Sequence, residues 1–192
     1  MEINFLENKS LLTHHLSLID SYRHLIVGSD SIKAAVIVGS FARGNPDRFS
    51  DIDLVAFAEK DCFELAAQEL FEPKFFPTMH TFGKDFTPNV KFKKTIYDNF
   101  VSAEIHLFSS TFDFKLRKPY ISIKDQDDFL SSKLTIDQTT DPSETLVLNH
   151  GIDGLGWELL DLLKWWQRGQ RQRVFLHLSK ISKFIDKTNS TF

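Results

Sequence analysis

The sequence predicts an α+β fold, strands and helices intermixed over roughly the first 115 residues, followed by a short C-terminal helical region. Three observations carry that reading. Short β-branched or alternating runs occur at AAVIV (34–38), DIDLVAFA (51–58), NVKFKKTIYD (89–98) and FVSAEIHLF (100–108). Apolar residues recur at helical spacing over 12–28 and again over 60–71. The last third carries helical periodicity alone, which favours segregated helices over a continuing β-α alternation.

Taken in order, Leu12, Leu16, Ile19, Arg23 and Ile26 mark an amphipathic helix that ends near Gly28. His14 and His15 are adjacent, so they point to different sides of it; they make a poor metal pair, and solvent exposure is expected for both. AAVIV, bounded by Gly39, reads as a buried strand. SFARG is long enough for a loop and one or two helical turns before the strand DIDLVAFA. KDCFELAAQELF (60–71) places Phe63, Leu65, Ala66 and Leu70 as its apolar positions, and Pro73 and Pro77 stop it. The two alternating strands that follow are joined by a hairpin turn at Asp98-Asn99. Residues 109–145 are polar and broken by Pro119 and Pro142. The expected organisation is a core at 1–115, a connector at 116–145 and a helical hairpin at 146–192. In that hairpin Leu155, Leu159, Leu162, Leu163 and Trp166 form one face, and Val174, Leu178, Ile181 and Ile185 another, about a turn at Arg168-Gly169-Gln170. Trp157, Trp165 and Trp166 at this spacing read as core.

With 192 residues, 42% of them hydrophobic and nineteen phenylalanines, the chain has the composition of a folded protein. A net charge of −3 favours no class of partner. Its distribution is uneven: Lys164, Arg168, Arg171, Arg173, Lys180, Lys183 and Lys187 face only Asp186 after residue 163, a pattern read first as a solvated helix face. Cys62 stands alone, so neither an internal disulfide nor a paired-cysteine zinc site can form. An acidic N-terminus without a long apolar run, and no stretch of about eighteen apolar residues, predict a cytoplasmic protein with no membrane partner.

The chemistry concentrates in GSFARGNPDRFSDIDL, residues 39–54. Side chains two apart on a strand share a face, so Asp51 and Asp53 project together while Ile52 and Leu54 project the other way. Two like charges that close repel unless a cation lies between them, and Mg²⁺ takes one or two carboxylates plus substrate phosphates. By itself an Asp-x-Asp is more often the solvated face of an edge strand. Here it follows a strand that runs into Gly39-Ser40, where backbone N–H groups attract phosphate. Gly39 lets a triphosphate come close to the backbone, Ser40 offers a hydroxyl, Arg43 a guanidinium, and Gly44 suits the turn back.

GSFARG followed by SDIDL resembles the nucleotide-binding motif of the DNA polymerase β-like nucleotidyltransferase superfamily: Gly-Ser, a gap of about ten residues, then two acids separated by one apolar residue. The resemblance covers about residues 34–108. It implies a mixed sheet flanked by helices, and a third carboxylate on a neighbouring strand, best matched by Glu104 in SAEIHLF. Within the superfamily the chain is most similar to bacterial enzymes that nucleotidylate antibiotics, the lincosamide enzymes in particular. Glu104-x-His106 and a helix ending in Arg168-Gly169 carry that narrower likeness.

The resemblance implies Mg²⁺-dependent transfer of a nucleoside monophosphate from an NTP such as ATP to a hydroxyl of a small molecule, with release of pyrophosphate. Asp51, Asp53 and Glu104 are then the catalytic and metal-binding residues, holding two ions, and Gly39, Ser40, Arg43 and Gly44 bind the nucleotide. Glu104 is the first candidate for general base; Glu158 and Asp161 of the helical region are others. His106 contacts acceptor or phosphate, or is a structural hydrogen-bonding group. The relatives usually continue with more helices after the point where this chain stops, and the short Trp- and Leu-rich helical part suggests a homodimer sharing its site. An antitoxin-like enzyme acting on a protein or RNA is the alternative, and a nucleotide-binding regulatory domain without catalysis is the third reading.

Overall fold

The structure is a computed structural model and describes residues 12–72, 74–135 and 154–189, with side chains to 186. Pro73, and 136–153 with Pro142 and the expected start of the hairpin, lie outside the described residues.

The first unit is built on a six-stranded mixed sheet of order β3-β4-β5-β2-β1-β6. Its strands are β1 (Ile32–Ile37), β2 (Ile52–Ala58), β3 (Thr78–Thr87), β4 (Val90–Tyr97), β5 (Ser102–Ser109) and β6 (Ile121–Asp125). Only β2 and β5 pair in parallel; the other neighbours are antiparallel. β1, β2 and β5 occupy the middle, which explains their nearly continuous burial and their β-branched and alanine-rich runs.

Helices α1 (Thr13–Gly28) and α3 (Phe63–Phe71) cover one face. They bring Leu18, Ile19, Tyr22 and Ile26, and Phe63, Ala66, Ala67 and Leu70, against Ile52, Leu54, Ala103, Ile105 and Leu107. The buried stripe of α1 is centred on His15, Leu18, Tyr22 and Ile26, about a residue round from the expected one, and Leu65 of α3 is exposed. The opposite face carries a second core of Ala34, Val36, Val55, Phe57, Val90 and Phe108, closed by Leu116 and Leu130. Phe57 lies at its centre, its ring 5.9 Å from those of Phe108 and Phe114 and 5.3 Å from that of Phe129.

Two expectations need correction, and one strand was not foreseen. The polar stretch read as connector from 116 onward contains β6, which pairs with β1, and 3-10 turns (Gln126–Lys133) that seat Leu130 in the second core; both belong to the first compact unit. Its polarity follows from its place at the sheet's edge, where one strand face is wet. Residues 78–87 form β3, the opposite edge strand, exposed along nearly all its length. His15 is buried at 3% exposure, whereas its neighbour His14 is exposed as expected.

The second unit is a helical hairpin of α4 (Leu155–Gln167) and α5 (Arg171–Asn189), turned at Gly169 with φ 72°. Its buried contacts are Leu162, Val174 and Ile181, with Leu155 and Trp165 beside them. Trp157 is buried, but Leu159, Leu163 and Trp166 are exposed, so the expected leucine face of α4 is split. His177 of α5 is buried and pairs with Glu158 of α4, and Asp161 lies 3.7 Å from Lys164.

Ile105, 1% exposed at the centre of β5, measures the strength of the sheet–helix core. Ile105→Ala is expected to lower the unfolding free energy in urea by about 2–5 kcal/mol, against roughly 0.5 kcal/mol or less for Leu65→Ala, 53% exposed.

Candidate functional site

The site lies where β1 ends and the parallel strands β2 and β5 begin. β1 stops at Ile37, and the single helical turn α2 (Gly39–Ala42) follows. Gly39 takes φ 69°, in the left-handed region. The Val38 N–H donates to the Asp53 carbonyl at 2.9 Å, fastening the turn to the start of β2. A Cβ added at Gly39 would lie 2.9 Å from Cγ of Asp53 and overlap its carboxylate. The carboxylate of Asp53 therefore rests on the bare Cα of Gly39. Phe41 is buried below the turn, while Arg43 is exposed and Ser40 partly so. Gly44 closes the turn at φ 74°, its N–H donating to the Phe41 carbonyl.

The loop to β2 is tied down from inside. Asp47 accepts from the N–H of Phe49 at 2.9 Å, and the Asp47 N–H donates to the Ser50 hydroxyl. His15 of α1 donates from Nε2 to the Ser50 carbonyl at 3.0 Å, and its ring lies 5.8 Å from that of Phe41. Burial holds His15 below its ordinary pKa, so it is neutral, as a donor to one carbonyl can be. Its Nδ1 has no hydrogen-bond partner. His15 is a positioning residue for the segment that delivers Asp51, and the sequence reading missed it. The signal was there: Leu12, His15, Ile19, Tyr22 and Ile26 form a 3-4-3-4 stripe.

Register assembles the carboxylates. Ile52 pairs with Ala103 and Asp53 with Glu104 across the parallel ladder, so Asp53 and Glu104 stand on the same face, away from α1 and α3. One step earlier the Ser102 hydroxyl donates to Asp51 Oδ1 at 2.7 Å. On the other side of β5, Lys94 is the partner of Glu104 and Phe92 the partner of His106. Lys94 Nζ lies 2.6 Å from Glu104 Oε2, and His106 Nε2 lies 2.8 Å from Glu104 Oε1. The His106 ring sits between those of Phe92 and Phe108, at 4.8 and 6.2 Å.

Burial alone would raise the pKa of Glu104. The hydrogen bond with His106 and the Lys94 ammonium override it and hold the carboxyl at about 2. A carboxylate held ionised by two donors is a weaker acceptor for a hydroxyl proton than a free one.

The donor set fits one divalent cation. Asp51 and Asp53 are partly exposed carboxylates on one face, with a glycine beside them in place of a side chain. Glu104 stands next to them with both oxygens engaged. Among the described residues, no group of three or more His, Cys, Asp or Glu side chains is gathered so as to hold a metal ion.

Two tests follow from this geometry. Gly39→Ala forces either the turn or Asp53 to move, and the positive φ adds about 1–2 kcal/mol of strain. The expected result is a modest fall in melting temperature with a loss of Mg²⁺-nucleotide binding by calorimetry. Glu104 is held below its ordinary value of 4.5, so its contribution to stability is complete above that pH and lost as pH falls towards about 2. Glu104→Gln is therefore expected to lower the melting temperature at pH 7 and to converge on the wild type near pH 2.

No curated protein matches the chain. Residues 25–101 match the nucleotidyltransferase domain family, a span that contains Gly39, Ser40, Arg43, Gly44, Asp51 and Asp53 and ends just before β5. The match supports the polymerase β-like superfamily, on a mixed sheet flanked by helices of the kind that superfamily implies. Over residues 25–101 the chain is thus similar to a nucleotidyltransferase domain, a likeness that supports a transferase activity.

Proposed function

We propose that the protein transfers a nucleoside monophosphate from an NTP to a hydroxyl of a small molecule, of the lincosamide or aminoglycoside kind, in a Mg²⁺-dependent reaction. The observation that carries the reading is the Asp53 carboxylate seated on Gly39, which sets an acidic pair directly against a phosphate-accepting turn. Asp51 and Asp53 hold the divalent cation. When bound, that ion offsets the charge of the triphosphate and makes the α-phosphorus a better electrophile.

The chain's own groups do the positioning. Ser40 and Arg43 orient the β- and γ-phosphates, and the Ser102 hydroxyl holds Asp51 by its hydrogen bond to Oδ1. The acceptor oxygen bonds to the α-phosphorus as the bond to the β-phosphate oxygen breaks; pyrophosphate leaves and the acceptor's proton passes to solvent. Glu104 stays ionised throughout and acts by its charge. Most of the rate then comes from orientation and prearranged charge.

A second reading, nucleotidylation of a protein or an RNA, is favoured by α5. Phe175 and Leu176 are 62% and 61% exposed there, beside the exposed Arg171, Arg173, Lys180 and Lys183. The experiment is pyrophosphate release with Mg²⁺ and each of the four NTPs against a panel of aminoglycosides and lincosamides. Release that depends on one acceptor and falls about 100-fold or more in Asp53→Asn is the expected result. Mg²⁺-NTP binding without release on any small acceptor overturns that acceptor class; label moving from an α-labelled NTP to an RNA or protein then establishes the second reading.

A further inference from the structure

We infer that Lys94 is a resident cation standing where a second divalent ion would otherwise bind, so that the site works with one metal ion and one ammonium. The inference rests on the nucleotidyl transfer proposed above at Asp51 and Asp53. Three features support it.

Lys94 and Glu104 are direct partners across β4 and β5, so their contact is imposed by the ladder and does not depend on a chance surface rotamer. Both side chains are largely withdrawn from water, at 18% and 22% exposure, with Nζ 2.6 Å from Oε2. A pair so placed is screened far less than one on the surface. The second oxygen of Glu104 is taken by His106 at 2.8 Å, so a further cation would have to compete with a donor at each oxygen. Finally, the lysine is itself held in place: Nζ lies 5.7 Å from the centre of the Phe92 ring, which also packs against His106.

Charge counting leads the same way. Asp51, Asp53 and Glu104 carry three negative charges. One divalent ion and one ammonium balance them, leaving the triphosphate to the turn at Gly39. A second divalent ion beside Glu104 would meet the ammonium at close range and would have to displace it. Lys94 thus acts through Glu104 as a positioning residue and sets the number of metal ions.

The test counts ions directly. Equilibrium dialysis with Mn²⁺ and the α,β-methylene analogues of the four NTPs, which cannot be cleaved, gives Mn²⁺ bound per nucleotide bound. One Mn²⁺ is expected for the wild type and two for Lys94→Met, with a return to one in Lys94→Met/Glu104→Gln. A gain of a metal ion is an outcome that loosened structure does not produce. Two ions in the wild type overturn the inference by themselves, whether or not the variants fold. One ion in both the wild type and Lys94→Met, or in Lys94→Gln should the methionine variant not fold, overturns it equally. If the wild type binds neither Mn²⁺ nor nucleotide, the proposed function fails first and the inference falls with it.

Discussion

The contact between Asp53 and Gly39 is the constraint on which the rest of the site depends. A carboxylate can lie against a main-chain Cα only where no Cβ exists, and the φ of 69° at that residue is one that other amino acids adopt at a cost. Neither partner can easily withdraw. Asp53 is held by the hydrogen bond from Val38 and by ladder pairing on both sides of β2, with Leu54 opposite Ile37 and Ile105. Gly39 follows a strand that is fully buried from Ala34 to Ile37. The tightest point of the site is thus fixed by the stiffest part of the sheet. The nucleotide-binding role proposed for this turn needs that rigidity, since misplacement of a charged group weakens every interaction it makes.

Around that point, charge is handled by pairing. Three carboxylates project from the edge of a face whose remainder is an aromatic core, and ionised groups there are costly unless compensated. Asp51 has the Ser102 hydroxyl, and Glu104 has Lys94 and His106. Asp53 is partly exposed and lies beside the glycine. Glu104 shows which effect wins: desolvation pushes its pKa up, yet the two partners bring it to about 2. The same pairing that stabilises the carboxylate also makes it a weak base and a committed ligand, so one interaction sets three of its properties.

How much could be read from the residues follows the range of the interactions. Gly39, Asp51 and Asp53 lie within fifteen residues of one another, and a strand's period of two puts the acids on one face without further knowledge. β3 was not legible, because a strand exposed on both faces has no reason to alternate. β6 was hidden likewise: ISIKD is short and half polar, and its pairing with β1 joins residues far apart in sequence. His15 was misjudged because adjacency to His14 drew attention away from the helical stripe to which it belongs. For Lys94 the decisive detail is a single residue of turn. A two-residue turn at Asp98-Asn99 would put Lys93 opposite Glu104. Phe100 joins the turn with φ 61°, its N–H bonded to the Tyr97 carbonyl, and Lys94 takes that place instead.

That single residue decides more than register. Side chains on β4 alternate between the helix-covered face and the face that carries Glu104, so a slip of one would bring Lys93 to Glu104 and send Lys94 to the other side. Lys93 as it stands bonds to the carbonyl of Phe71 at the end of α3, and burial lowers its pKa. The two neighbouring lysines thus do opposite work: one closes the end of a helix, the other neutralises a carboxylate. The loop conformation that separates them is unfavourable for a bulky residue in isolation, and Phe100 itself is 60% exposed. What maintains it is the sheet, through the Tyr97 N–H bonded to the Val101 carbonyl and through the buried Tyr97 and Val101 flanking the turn. Core packing on one face of the hairpin therefore sets the charge presented on the other.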